Sequence, residues 1–236
     1  AGVGAHGDEQ VTAVHDLATG RLRGLAVGTL LGPMRAGAIG ALAADRLAPA
    51  GAMDVGLVGA GRQAYFQLWG LRATRQIRRV TVFARSPEQR SRFIERVSDE
   101  LGLDVDCAVS ADAAVRGADI AILATSCPTP VLSAETIAPG GYVATVGPKQ
   151  VGRSEYSAVL ADAADLVVTD SPQQLFGYDP PHVLADTRHA QRIVGLADIL
   201  AGTIPGRAQA DDRVLFCNVG LAGTEAALLE ALLPPP

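Results

Sequence analysis

From Met53 onward, short apolar runs alternate with segments of helical length, and this alternation constrains the fold more than any other feature of the chain. Strand-length runs stand at 54–58, 80–84, 105–109, 120–124, 143–146 and 166–169. Segments 62–74 and 88–101 have the length and composition of helices. A strand that is apolar throughout is buried on both faces, and strands separated by helices run parallel with helices over both sides. Six of them predict an α/β fold, a Rossmann-type doubly wound parallel sheet. Beyond the sixth strand, 189–201 reads as a helix, 213–217 as a strand and 221–233 as a helix. Ahead of the sheet, 11–15 and 22–27 flank the turn 16–20 and predict a β-hairpin. Small apolar residues at helical spacing over 30–47 predict a helix that Pro49 and Gly51 stop. Each end of the chain is too small to bury a core alone. The expected arrangement is a smaller α+β substrate and dimerisation domain from 1–50 and 203–236, with the Rossmann domain, 51–202, inserted into it.

Composition narrows the class. With 48% apolar residues in 236, the chain is not disordered. No run approaches the roughly 18 apolar residues of a membrane span. A net charge of −5 gives no general attraction to nucleic acid or anionic lipid. The opening AGVGAHGDEQ lacks the apolar centre of a signal peptide and is expected to be loose. Cys107, Cys127 and Cys217 are odd in number and far apart, which points to free thiols in a reducing, cytoplasmic setting. His6, His15, His182 and His189 are scattered without metal-ligand spacing, so no metal is expected. Of the 20 basic residues, 19 are Arg, and the single lysine is Lys149.

The first strand of the alternating series runs directly into Gly59-Ala60-Gly61-Arg62-Gln63-Ala64 and then a helix. In this strand–turn–helix context GxGxxA is a phosphate-binding turn. Gly59 permits the bend, Gly61 leaves room for a pyrophosphate at the backbone, and Ala64 lets the helix pack close to the strand. The free N–H groups and positive dipole end of the helix, at Arg62 and Gln63, face the phosphates. The second strand ends in Arg85-Ser86-Pro87 without the carboxylate that holds the 2′-hydroxyl of NAD. Arg85 offers a forked contact to a 2′-phosphate and Ser86 a further donor, which favours NADP(H) and leaves NAD(H) possible.

With these residues in view, the chain resembles the ornithine cyclodeaminase/mu-crystallin family over 11–233. The resemblance is carried by LGPMRAGA at 31–38, VGLVGAGRQA at 55–64, GADIAILATSCPTPVL at 117–132 and GGYVATVG at 140–147. RSE at 153–155, VVTDSPQQL at 167–175, AGTIPGR at 201–207 and FCNVGLAGTEAA at 216–227 complete it. It implies a Rossmann domain inserted in a dimerising substrate domain, a homodimer, and nicotinamide-dependent chemistry on imines and amino acids. It further implies that Ala124, Thr125 and Ser126 line the nicotinamide side, with Val146 and Gly147 beside them. Arg35 would grip a substrate carboxylate, and Lys149 would bind that carboxylate or deliver a proton. Cys127 is expected to line the pocket, Trp69 to sit in the core, and 221–233 to suit a subunit interface.

The departures from the family pattern bear on the reaction. The resemblance implies a further family stretch preceding the hairpin, with two basic substrate-binding residues, expected to be either absent or trimmed from this sequence. Gly32 and Ala36 stand at Thr positions, Glu225 at an Asp position, and Lys149 where cyclodeaminases carry the Asp that acts on the substrate amine. The expected activity is therefore NAD(P)H-dependent reduction of a small cyclic or open-chain imine or 2-oxo acid to an amino acid. The alternatives are an ornithine cyclodeaminase, giving proline and ammonia, or a non-catalytic NADPH-binding member.

Overall fold

The computed structural model describes residues 10–51, 53–133 and 136–234; the expectations for the first nine residues, His6 among them, lie outside these. The chain opens with a hairpin, β1 (Gln10–His15) and β2 (Leu22–Gly28), and helix α1 (Leu31–Leu47). Then come β3 (Asp54–Val58), α2 (Arg62–Thr74), β4 (Arg79–Phe83), α3 (Pro87–Leu101) and β5 (Val105–Cys107). They are followed by α4 (Ala111–Val115), β6 (Ile120–Leu123), β7 (Tyr142–Thr145) and a small hairpin, β8 (Lys149–Gln150) and β9 (Arg153–Ser154). The last third holds α5 (Ala158–Asp162), β10 (Leu166–Thr169), α6 (Pro172–Phe176), β11 (Ile193–Gly195), α7 (Leu196–Leu200), β12 (Val214–Cys217) and α8 (Thr224–Leu232).

Eight strands form one parallel sheet in the order β11-β10-β12-β7-β6-β3-β4-β5. The period of two along each strand divides the interior into two cores. Ile120, Ile122, Val214 and Phe216 face one side, with α1 and α2. Ala121, Leu123, Leu215 and Cys217 face the other, with α4, α5 and α6. The central strands β3, β6, β7, β12 and β10 are buried along nearly their whole length because both faces are covered, whereas the edge strand β5 is largely exposed.

Three expectations are corrected. Segment 189–201 is not one helix but a 3-10 turn (Ala190–Arg192), the edge strand β11 and the short helix α7. The β-branched pair Ile193-Val194 joins the edge of β10, which outweighs the helical spacing around it. The strand at 213–217, assigned to the smaller domain, is β12 and lies inside the sheet between β7 and β10. Likewise α1 shares a core with α2 and β3, while the β1–β2 hairpin forms its own two-stranded sheet and packs against α8. Finally, α8 starts at Thr224, because Gly220 and Gly223 take left-handed conformations (φ 80° and 87°) and hold 220–223 as a loop.

Helix α1 sits on α2 through bare backbone. A Cβ on Gly37 would overlap the Phe66 carbonyl, and one on Gly70 the Gly37 carbonyl. Ala36 O accepts hydrogen bonds from Gln67 Nε2 (3.0 Å) and Asn218 Nδ2 (3.2 Å). The far end of α1 is capped by cations: Arg75 donates to Ala44 O (2.8 Å), Asp45 O (2.9 Å) and Pro49 O (2.7 Å), and Arg207 to Leu47 O (2.8 Å). Together these contacts fix the start of α1, and with it Arg35, above the sheet edge. Among the described residues no helix is long and apolar enough to cross a membrane.

Candidate active site

The sheet order reverses between β3 and β6, where open α/β sheets leave a crevice beyond their carboxyl ends. A cleft of about 1380 Å³ lies there. That exceeds the roughly 300–1,000 Å³ of a small-ligand pocket, so it has room for a long ligand and a small second one.

One wall is the turn after β3. Gly59 has φ +117°, and a Cβ there would overlap the Ala124 carbonyl, so only glycine lets β3 and β6 end side by side. Gly61 N-caps α2 with no side-chain cap, and a Cβ on it would meet nothing within 4 Å. The first N–H groups of α2 therefore open onto the cleft. Arg62 and Gln63 line it, and the buried Gln63 Oε1 has no hydrogen-bond partner among the described residues. Ala64 is fully buried beneath the turn and does not line the cleft. Arg85 and Ser86 line the end toward β4. Arg85 is exposed and makes no ion pair or hydrogen bond among the described residues. Ser86 is occupied: its Oγ caps α3 by accepting from Gln89 N (3.2 Å) and donates to Glu88 Oε2 (2.8 Å).

The opposite wall carries Ala124, Thr125, Ser126, Cys127 and Gly147. Behind it stands Glu155, fully buried, accepting from Thr125 N (2.8 Å), Thr125 Oγ1 (2.8 Å), Val146 N (3.1 Å) and Gly147 N (2.6 Å). Burial pushes its carboxyl up, and the Thr125 hydrogen bonds oppose that. Val146 itself does not line the cleft; it packs against the core around α2. Lys149 is also behind the wall, 8% exposed, with Nζ donating to Val146 O (3.1 Å) and Asn218 O. Burial holds its ammonium below the usual lysine range, opposed by Glu155 and Asp170. The thiol of Cys127 is lowered, first by the Thr129 backbone hydrogen bond.

Arg35 enters the cleft from α1. Its Nη1 donates to Leu221 O (2.8 Å), and its Nε lies 3.0 Å from Glu225 Oε1. Glu225 is the only carboxylate lining the cleft among the described residues, against Arg35, Arg62 and Arg85. The loop that carries Leu221 is held by the buried Asp170, which accepts from Val219 N (2.7 Å), Gly220 N (2.8 Å) and Leu221 N (3.1 Å).

In the sequence Asp170 and Glu155 stand out only as members of the motifs at 167–175 and 153–155. The one available signal is a carboxylate in a segment otherwise poised to be buried, and neither partner set is local. A third group is equally silent in the sequence. His182 Nδ1 accepts from Leu184 N (3.2 Å), so Nε2 carries the proton and donates to Tyr156 OH (2.8 Å), which in turn donates to Cys217 Sγ (3.4 Å). Burial, then the Lys149 charge, pushes the His182 imidazole down to about 4.

Fold and cleft together define a Rossmann-type protein whose ligand crevice lies at the strand-order switch. The chain belongs to the ornithine cyclodeaminase/mu-crystallin family, whose model matches residues 4–232. It is 29% identical over 216 residues to the iminosuccinate reductase of Paracoccus denitrificans, covering 91% of this chain and 67% of that protein. It is 26% identical over 203 residues to the ornithine cyclodeaminase of Brucella suis, covering 85% of this chain and 55% of that one. The structure of Thermococcus litoralis Delta(1)-pyrroline-2-carboxylate reductase in complex with NADH and L-proline superposes with a TM-score of 0.82 at 28% identity, over 96% of this chain and 73% of that one. The chain thus spans about two thirds or less of the length of the curated relatives named.

Proposed function

We propose that the chain is a nicotinamide-dependent reductase of a small carboxylated imine. The observation that carries this is the cleft's charge pattern: among the described residues three arginines line it, and its one carboxylate is engaged with Arg35. A cyclodeaminase needs a free carboxylate at the substrate amine, and the corresponding position holds the buried Lys149. The residues present fit a dinucleotide. The α2 terminus is uncapped, Gly61 leaves open space, and Gln63 Oε1 is an acceptor awaiting a donor. The relatives named reductases, one of them solved with NADH, support the same reading.

When bound, the nicotinamide supplies the hydride that reduces the carbon–nitrogen double bond. The chain holds and orients. Arg35, steadied by Leu221 O and Glu225, presents its remaining N–H groups to a substrate carboxylate. The turn at Gly59–Gly61 and the wall at Thr125 and Gly147 set the depth of the cleft. An iminium substrate brings its own proton, so no acid is required from the wall. Lys149, with both partners backbone carbonyls, acts as a structural link between the β7 end and Asn218. Arg85, with no partner of its own among the described residues, still favours NADP(H), but Ser86 is committed to capping α3 and to Glu88. The exposed apolar residues Val11, Leu22, Leu25 and Val27 on the outer face of the β1–β2 hairpin fit a homodimer contact. Three free thiols fit a cytoplasmic setting.

The test is turnover of NADPH and NADH against a panel of cyclic imines and of 2-oxo acids with ammonia. Cofactor oxidation is the expected result. Ammonia release from ornithine would restore the cyclodeaminase, and binding without turnover the non-catalytic member. In the same assay Lys149→Met should lower stability by about 1–3 kcal/mol, through lost hydrogen bonds to buried carbonyls. It should leave kcat within about threefold, as expected of a group that makes no transition-state contact.

A further inference from the structure

Glu155 does not line the cleft, yet its carboxylate gathers the two segments that form one wall of it. Oε2 accepts from the amide and the hydroxyl of Thr125 (both 2.8 Å), at the end of β6. Oε1 accepts from Val146 N (3.1 Å) and Gly147 N (2.6 Å), at the end of β7. An ionised carboxylate offers about four lone-pair sites, and all four donors are present. The main chain of Glu155 adds two ties, donating to Pro148 O (2.9 Å) and accepting from Val131 N (2.9 Å). Thr125 Oγ1 also accepts from Cys127 N (3.1 Å), so the same carboxylate orders the turn beyond it. A Cβ on Gly147 would overlap both the Glu155 carboxylate and the Thr125 carbonyl, so no side chain separates the two loops.

The side of the sheet matters. In this topology the adenosine ribose is read at the end of the second strand, here β4, and the pyrophosphate at the turn after β3. The remaining half of a dinucleotide must then extend over the ends of β6 and β7, where Thr125 and Gly147 line the cleft.

We propose that Glu155 is a positioning residue for the nicotinamide half of the cofactor: it sets the height of the Thr125 and Gly147 backbone against which that ring lies. This rests on the reading of the cleft as a nicotinamide dinucleotide site and specifies which residue shapes its second half. The adenine half, held by the turn and Arg85, is independent of it.

The full chain and Glu155→Gln are compared for binding of NADH and NADPH, followed by nicotinamide fluorescence. Binding of ADP-ribose and 2′-phospho-ADP-ribose, which lack the ring, is followed by calorimetry. The substitution turns one acceptor into a donor facing donors and shifts the wall. A displacement of this kind should weaken the dinucleotide about tenfold or more and diminish its fluorescence change, with the fragments held within about twofold. Equal losses for dinucleotide and fragment, or no loss for either, overturn the proposal. If this variant does not fold, Thr125→Val, which deletes the hydroxyl link, should give the same selective loss at about threefold, and equal or absent losses overturn it there. If the unaltered chain binds neither fragment nor dinucleotide, the cofactor reading itself falls and takes this proposal with it. A chain that binds both, with a variant that loses both alike, removes the Glu155 role alone.

Discussion

The two walls of the cleft solve one problem by opposite means. The wall after β3 is bare backbone: Gly59 and Gly61 remove side chains so that chain and ligand approach closely, and the helix end supplies the donors. The wall across from it is built from buried charge. Glu155, Asp170 and Lys149 each take up backbone groups from another segment, 30, 49 and 69 residues away at Thr125, Val219 and Asn218, and hold them in place. The first design is compact and tolerates little. The second spreads its cost over several hydrogen bonds, and each charged member is costly to leave unpaired.

The comparison can be broken at its stiffest point. Gly59→Ala puts a Cβ into the Ala124 carbonyl at a left-handed φ of +117°. Strain and overlap together should destabilise by about 4 kcal/mol, or prevent folding, as read by denaturant unfolding. The charged wall should respond to acid instead. His182, behind it, has a folded value of about 4 against 6.5 for a free imidazole. The unfolded chain then binds the extra proton first, so stability is complete above about pH 6.5 and is lost as pH falls toward 4. The loss attributable to this group is at most about 3 kcal/mol. It is measured as the difference in pH dependence between the unaltered protein and His182→Gln; identical profiles would remove His182 from the account.

A smaller effect is expected at Asp170. Asp170→Asn turns one acceptor into a donor facing backbone N–H groups and should cost about 2 kcal/mol of stability. It should also raise KM for a carboxylated substrate, since Leu221 O would no longer steady Arg35. Gly61→Ala sharpens the contrast most cleanly. The new methyl meets nothing, so stability should stay within about 1 kcal/mol. Affinity for the dinucleotide should nevertheless fall about tenfold, because the methyl stands where the pyrophosphate must approach. A variant that binds normally would show that the turn is only a turn.

How much of this was legible in the sequence follows from the same division. The turn from Gly59 to Ala64 is six consecutive residues between a strand and a helix, and each residue's role depends on its immediate neighbours. The central strands were legible because burial on both faces leaves a continuous apolar run. The place of β12 was not, since nothing in Val214–Cys217 says whether it pairs with β7 and β10 or lies elsewhere. Segment 189–201 misled because its spacing suits a helix, while β10 offered an open edge to Ile193 and Val194. Lys149 stood out as the only lysine, but its chemistry could not be read without Asn218, 69 residues on.

By itself the sequence determined a doubly wound sheet and a phosphate-binding turn at its first strand. Those features are written in short stretches, where backbone freedom and local periodicity decide the outcome. Only the tertiary structure decided which charges face the cleft and which stand behind it. Burial of a carboxylate or an ammonium is settled by the distant donors and acceptors that meet it, and those exist only once the strands are in order.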